Sequence, residues 1–154
     1  MSSQAPNSKN SKSKIQTSMT PFIHKGRVPF HATDAAGIVH FANYFRFMEE
    51  AELYALNARG FRPDNFAYPR VHIEADFAAP LRFWDEYTVE AALQKIGNTT
   101  LHWQFTIKGP QGVCAVLRSV SARRTADLSA PAPYTPAERE RLADLLITPQ
   151  NSPE

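Results

Sequence analysis

One cysteine, Cys114, stands among 154 residues, so an internal disulfide is excluded and a reducing, cytoplasmic setting is expected. Long apolar runs are missing as well. None approaches the roughly 18 residues of a membrane-spanning helix, so no membrane partner is expected. The N-terminus lacks the apolar core of a signal peptide. Residues 1–20 contain no acid and no arginine, and their charged side chains are Lys9, Lys12 and Lys14. A transit peptide usually carries arginine on an amphipathic helix, so that reading is the less favoured one. Ser, Asn, Gln and Lys fill the stretch instead, which predicts a disordered tail. An excess of one charge is also lacking. The chain holds 17 basic and 15 acidic residues, and without the three tail lysines the balance is 14 against 15, or −1. A near-neutral domain offers no broad basic surface, so no nucleic-acid partner is expected. Five scattered histidines and one cysteine give no zinc spacing. Neither a metal nor a bound cofactor is expected.

The length suits one domain with a real core, and no internal repeat divides it. Order is expected over residues 21–146, between the tail at 1–20 and a second loose tail at 147–154. "FIHKGRVPF" alternates like a strand, although Pro29 limits it to an edge or an end. From Phe41 to Arg59 the period becomes helical. Phe41, Tyr44, Phe45, Met48, Ala51 and Ala55 share one face, and Gly60 and Pro63 mark the stop. The period then returns to two. Val71, Ile73, Ala75 and Phe77 form one apolar face, as do Tyr87, Val89, Ala91 and Leu93, and Leu101, Trp103, Phe105 and Ile107. "GVCAVLRSVSARR" follows the turn "GPQG" as a further strand. "TPAERERLADLL" reads as a short helix, with Thr135 as cap, Pro136 in the first helical position and Glu138 completing a capping box.

Five one-faced strands predict an antiparallel sheet with one buried side. The 19-residue helix, roughly 28 Å long, would lie across it. The expectation is an α+β hotdog fold: a five-stranded antiparallel sheet wrapped around one long central helix. Such a sheet leaves apolar surface and an open edge, which favours a homodimer or homotetramer.

The stretch "TDAAGIVHFANYF" asks for more than a fold. It sets one acid, Asp34, and a glycine, Gly37, just before a helix start. Hydrolysis of a thioester needs a base for water, or a nucleophile, and donors for the oxyanion. A carboxylate is ionised at neutral pH, and a helix N-terminus supplies free N–H groups and a positive dipole end. Asp is also common as a turn residue or helix cap, and spacing alone leaves both readings open. Glu49 borders the apolar helix face and is a solvated charge by default. Glu52 falls inside the apolar arc, where it could meet a partner subunit or an arginine. Cys114 reads as core.

"TDAAGIVHFANYF" followed by "MEEA" resembles the hotdog thioesterases of the 4-hydroxybenzoyl-CoA thioesterase family, from Phe30 to Ala51 without a gap. A weaker likeness continues through "HIEADFAAPLRFWDEYTVEAALQKIG". The resemblance implies an acyl-CoA thioesterase whose substrate brings its own coenzyme A, acting on an aromatic or a short to medium acyl group. It assigns catalysis to Asp34, the hold on the thioester carbonyl to the backbone N–H of Phe41, and close approach of the chain to Gly37. It sets Glu49 toward the acyl pocket of the partner subunit. Some short-chain members carry His at the place of Phe41, whereas here His40 lies one position earlier. Members acting on 1,4-dihydroxy-2-naphthoyl-CoA read Asp-x-Ala-Gly-Val-Val-Tyr-Phe and later His-Glu-Ala; "DAAGIVHF" is close to this and "EEA" less so. The rival reading is a non-catalytic hotdog module that binds acyl-CoA or a protein. A pure binder needs no carboxylate beside a carbonyl, which argues against it. A hotdog dehydratase needs a His paired with a helix acid, and no such pair is evident.

Overall fold

A computed structural model describes residues 20–62 and 64–147. The expected tails lie outside these residues, apart from Thr20 and Ile147, and so does Pro63. Helix α1 (Phe41–Ala58) follows the three-and-four spacing of its apolar residues and buries Tyr44, Phe47, Met48, Ala51, Ala55 and Leu56. Gly60 ends it at φ +83°, a left-handed conformation that side chains resist. The main sheet holds β1 (Phe22–Arg27), β3 (Arg70–Phe77), β4 (Glu86–Ile96), β5 (Thr100–Gly109) and β6 (Gly112–Ala122). All pairings are antiparallel, in the order β1-β4-β5-β6-β3. Two strands of two residues, β2 (Phe66–Ala67) and β7 (Arg124–Thr125), pair separately. They are too short to leave a period in the sequence.

Register puts Leu93 opposite Trp103, Ala91 opposite Phe105 and Val89 opposite Ile107. All six are fully buried. Burying each large side chain here contributes roughly 1.5–3 kcal/mol. No helix among the described residues is long and apolar enough to cross a membrane.

The picture of a sheet wrapped around a long central helix needs correction. Helix α1 is 18 residues, about 27 Å, and packs on one face over β1, β4 and β6. Five strands about 4.8 Å apart are wider than one helix of about 10 Å, so an outer strand goes uncovered. That strand is β3. Its apolar face was expected in the core, yet Val71, Ile73 and Phe77 are 62%, 43% and 50% exposed. Phe41, expected on the buried helix face, is 60% exposed, because it opens the helix beyond the sheet's cover.

Helix α2 (Pro136–Leu142) has the capping box of Thr135 and Glu138, then tightens into a 3-10 turn over Ala143–Leu145. The tighter turn brings Leu146 alongside Leu93. Arg123, 1% exposed, holds this segment. Its guanidinium donates to both carboxylate oxygens of Glu138 (2.6 and 2.9 Å) and to the carbonyls of Ala132 (3.0 Å) and Pro133 (2.6 Å). It also lies between the rings of Phe66 and Tyr134, 4.1 and 4.0 Å from their centroids.

Candidate active site

The loop between β1 and α1 closes on itself. The Asp34 N–H donates to the Ile38 carbonyl (2.8 Å), and the Gly37 N–H donates to the Asp34 carbonyl (2.9 Å). Gly37 has φ +77°, which permits this reversal. A side chain built on Gly37 would meet nothing within 4 Å, so the loop is open on that side. The Val39 N–H donates to the Leu81 carbonyl (2.8 Å), which ties the loop to the β3–β4 connection. The Ala32 carbonyl accepts from the His40 N–H (3.0 Å) and the Asn43 side-chain amide (2.8 Å). The helix start is thereby fixed beside the loop.

Asp34 does not cap the helix. The cap is His40, whose Nδ1 accepts from the Ala42 N–H at 3.2 Å. Asp34 is exposed, and its Oδ1 accepts from the Ala36 N–H at 2.8 Å. Its Oδ2 has no partner among the described residues. The Phe41 N–H, first in the helix, likewise meets no acceptor among them. One carboxylate oxygen is therefore oriented while the other stays free, and a free donor stands separately at the positive end of the helix.

Asp34 and Phe41 line one groove of about 420 Å³, with Ile38, Tyr44, Phe77 and Pro80 among its walls. The Tyr44 hydroxyl accepts from the Leu81 N–H (3.3 Å), and its ring meets Phe77 edge-on at 5.3 Å. Burial pushes the Tyr44 hydroxyl above its usual range, so this residue builds the wall and stays protonated. The sequence reading missed Phe77 and Pro80 as groove residues. The signal was the break "FAAPL" at the end of β3.

Glu49 lies apart. It lines a second cavity of about 290 Å³ with Glu52, Leu53, Leu56, Phe61, Arg62, Tyr68 and Arg70. Eight residues beyond Phe41, it is about 12 Å further along the helix. Within one chain, then, Asp34 and Phe41 converge, Gly37 sits between the groove residues Asp34 and Ile38, and Glu49 belongs elsewhere. Glu52 meets an arginine: Arg70 Nη1 donates to its Oε2 (2.6 Å) and to Ser119 Oγ (2.9 Å). Burial raises the Glu52 pKa, and the Arg70 charge only partly opposes this. Cys114 is buried, and burial pushes its thiol up, as suits a core residue. No group of three His, Cys, Asp or Glu side chains among the described residues could hold a metal ion.

Comparison with known proteins places the chain in a family. Residues 36–116 match the Thioesterase superfamily. A 1,4-dihydroxy-2-naphthoyl-CoA hydrolase of Prochlorococcus marinus is 32% identical over 127 residues, covering 70% of this chain and 82% of that protein. The solved structure of a gentisyl-coenzyme A thioesterase superposes with a TM-score of 0.71 at 25% identity, covering 78% of this chain and 98% of that one. A Staphylococcus aureus protein solved in complex with CoA superposes at 0.75 over 88% of this chain and 90% of its own; at 14% identity this shows the fold alone. The match spans the Asp34 loop's second half, the helix and most of the sheet, and the chain belongs to the thioesterase superfamily as a thioester hydrolase.

Proposed function

We propose that the protein cleaves an aromatic acyl-CoA, with Asp34 as nucleophile or general base and the Phe41 N–H as holder of the thioester carbonyl. The observation that carries this is the single groove lined by both residues, one with a free carboxylate oxygen and the other with a free N–H. The finer assignment to the 4-hydroxybenzoyl-CoA thioesterase family rests on the Asp34–Gly37 motif. The aromatic acyl group rests on that motif and on the names of the relatives.

Two routes fit the geometry. In one, Asp34 attacks the carbonyl carbon, the C–S bond breaks, and coenzyme A leaves as thiolate and takes a proton. Water then cleaves the acyl–aspartyl anhydride and restores the carboxylate. In the other, Asp34 removes a proton from the attacking water directly. A positioned base contributes typically ~10²–10⁴ in rate, and one oxyanion donor about 3–4 kcal/mol. Gly37 keeps the approach to the groove clear. Thiol release from a panel of acyl-CoAs, followed with a thiol reagent, tests the reading; release from none of them would remove it.

A second copy supplies what one chain lacks. Among the described residues the outer edge of β3 has no pairing strand, and its apolar side chains are exposed. The strand begins at Arg70, in the Glu49 cavity, and ends at Phe77, in the Asp34 groove. Antiparallel pairing of two β3 edges about a twofold axis brings the Arg70 end of one copy against the Phe77 end of the other. Each Asp34 groove then gains the Glu49 cavity of the other copy. Ile73→Asp is expected to convert a dimer into a monomer at micromolar concentration and to lower turnover at least tenfold. Sedimentation velocity checks the first part. A parent protein that sediments as a monomer while fully active would exclude the composite site.

A further inference from the structure

Across the helix from the Asp34 groove lies another cleft, of about 580 Å³, between the edge strand β1 and α1. Phe41 and Tyr44 line the groove, whereas Arg46, Phe47, Glu50 and Tyr54 line the cleft. At 3.6 residues per turn the two sets fall on different flanks of the helix. Tyr87 also lines the cleft. It is 5% exposed, and its ring stacks on Phe47 at 4.4 Å. Its hydroxyl has no hydrogen-bond partner among the described residues, although a phenol so nearly buried is normally paired. Burial first, and the Glu50 charge second, push its pKa up to about 12, so it remains a donor at neutral pH. Gly26 makes room for it, because a Cβ at that place would collide with the Tyr87 hydroxyl. A glycine inside a strand often marks a close approach of another group.

Arg46, Glu50 and Tyr54 are four residues apart, so they stand in a row about 12 Å long. An arginine and a glutamate at this spacing often form no more than a solvated pair. Here they form no pair, and Arg46 has no ion pair or hydrogen bond among the described residues. Glu50 lies 3.8 Å from His24 Nε2. Tyr54 is 49% exposed, and the His24 ring backs it at 4.8 Å with 16° between the planes. A cation, a carboxylate and a held aromatic ring therefore follow one another along the cleft, with an unpaired buried donor beside them.

We infer that this cleft binds a nucleoside phosphate, with the phosphate at Arg46 and Tyr87, the ribose at Glu50 and the base on Tyr54. The order of the three helix side chains matches the order of phosphate, sugar and base. A guanidinium and a phenol both donate to phosphate oxygens. Ribose hydroxyls donate to a carboxylate, and a base stacks on an aromatic ring already held in place. A bare phosphate would face the charge of Glu50 with nothing between them, and a bare nucleoside would leave Arg46 and Tyr87 unpaired. Two sources supply this chemistry, a free nucleotide and the nucleotide end of coenzyme A. The inference stands without the thioesterase reading.

Calorimetric titration of the full chain with AMP tests it without turnover. AMP is expected to bind with a Kd below about 1 mM, and adenosine and inorganic phosphate about tenfold or more weaker. Arg46→Ala and Tyr87→Phe are each expected to weaken AMP about tenfold or more, as the loss of a hydrogen bond to a charged group does. Arg46 is exposed and phenylalanine keeps the Tyr87 ring, so both variants should melt with the parent. Repeating the titration at saturating CoA separates the sources. AMP displaced by CoA assigns the cleft to the nucleotide end of the coenzyme, and AMP bound alongside CoA assigns it to a free nucleotide. A Kd for AMP above about 1 mM, inorganic phosphate binding as tightly as AMP, or an unchanged affinity in either folded variant overturns the inference.

Discussion

Asp34→Asn lowers kcat by roughly 10² or more and leaves the melting temperature within about 2 °C of the parent. The structure explains why the two effects should separate. Asn keeps an oxygen that can accept from the Ala36 N–H, so the 2.8 Å bond that shapes the loop survives. The helix cap is His40 and is not disturbed. The groove walls and the Phe41 N–H also remain, so KM should change little. What disappears is the free carboxylate oxygen proposed to act on the thioester. Losing an interaction made only in the transition state lowers kcat and kcat/KM together. A folded Asp34→Asn protein working at the parent rate on its best acyl-CoA would falsify the assignment and leave Asp34 as a turn residue.

Arg123→Ala has the largest expected effect on stability, about 3–5 kcal/mol, because it removes one partner of a buried ion pair. Four hydrogen bonds and two ring contacts go with the guanidinium. The helix and 3-10 turn over Pro136–Leu145, which place Leu142 and Leu145 in the core, then lose their tie to β6 and β7. The same clamp gives the parent an acid signature. Hydrogen bonding from Arg123, against some burial, holds the Glu138 carboxyl down at about 2 from an ordinary 4.5. The folded pKa lies below the unfolded one, so this stabilisation is complete above pH 4.5 and is lost as pH falls from there toward 2. Urea unfolding at neutral pH and through that window measures both effects. A loss below about 1 kcal/mol at pH 7, or an unchanged acid slope in Arg123→Ala, would show that the segment is held by its leucines alone.

The sequence made the elements legible because their periods are long. Alternation over Leu101–Ile107 and three-and-four spacing over Phe41–Ala55 give the sheet and helix within a residue or two. It misled on β3, since alternation reports an apolar face without saying what covers it; Val71 and Ile73 alternate as cleanly as Trp103 and Phe105. Asp34, Gly37 and Phe41 could be singled out by their resemblance to a family motif that fits within eight residues, whereas spacing alone left Asp34 equally a turn residue. Glu52 could be seen as odd but not explained, because Arg70 is 18 residues away and only the pairing of β3 with β6 brings it near. Arg123 left no signal in the sequence, since its partners Phe66, Ala132–Tyr134 and Glu138 lie far from it along the chain.

The strand order also sets a timetable for assembly. Short turns join β4 to β5 and β5 to β6, whereas Arg27 must find Glu86 across 59 residues and Phe77 must find Ala115 across 38. Loop-closure entropy favours the central meander first and both outer strands later. The Asp34 loop hangs from one outer strand and is fastened to the connection that follows the other. The groove is therefore the last part to be completed and the first to open. Native-state hydrogen exchange should find the amides of Asp34, Gly37 and Val39 opening at distinctly lower free energy than those of central strand β5, so that catalytic competence is lost by local opening well before the fold itself is lost.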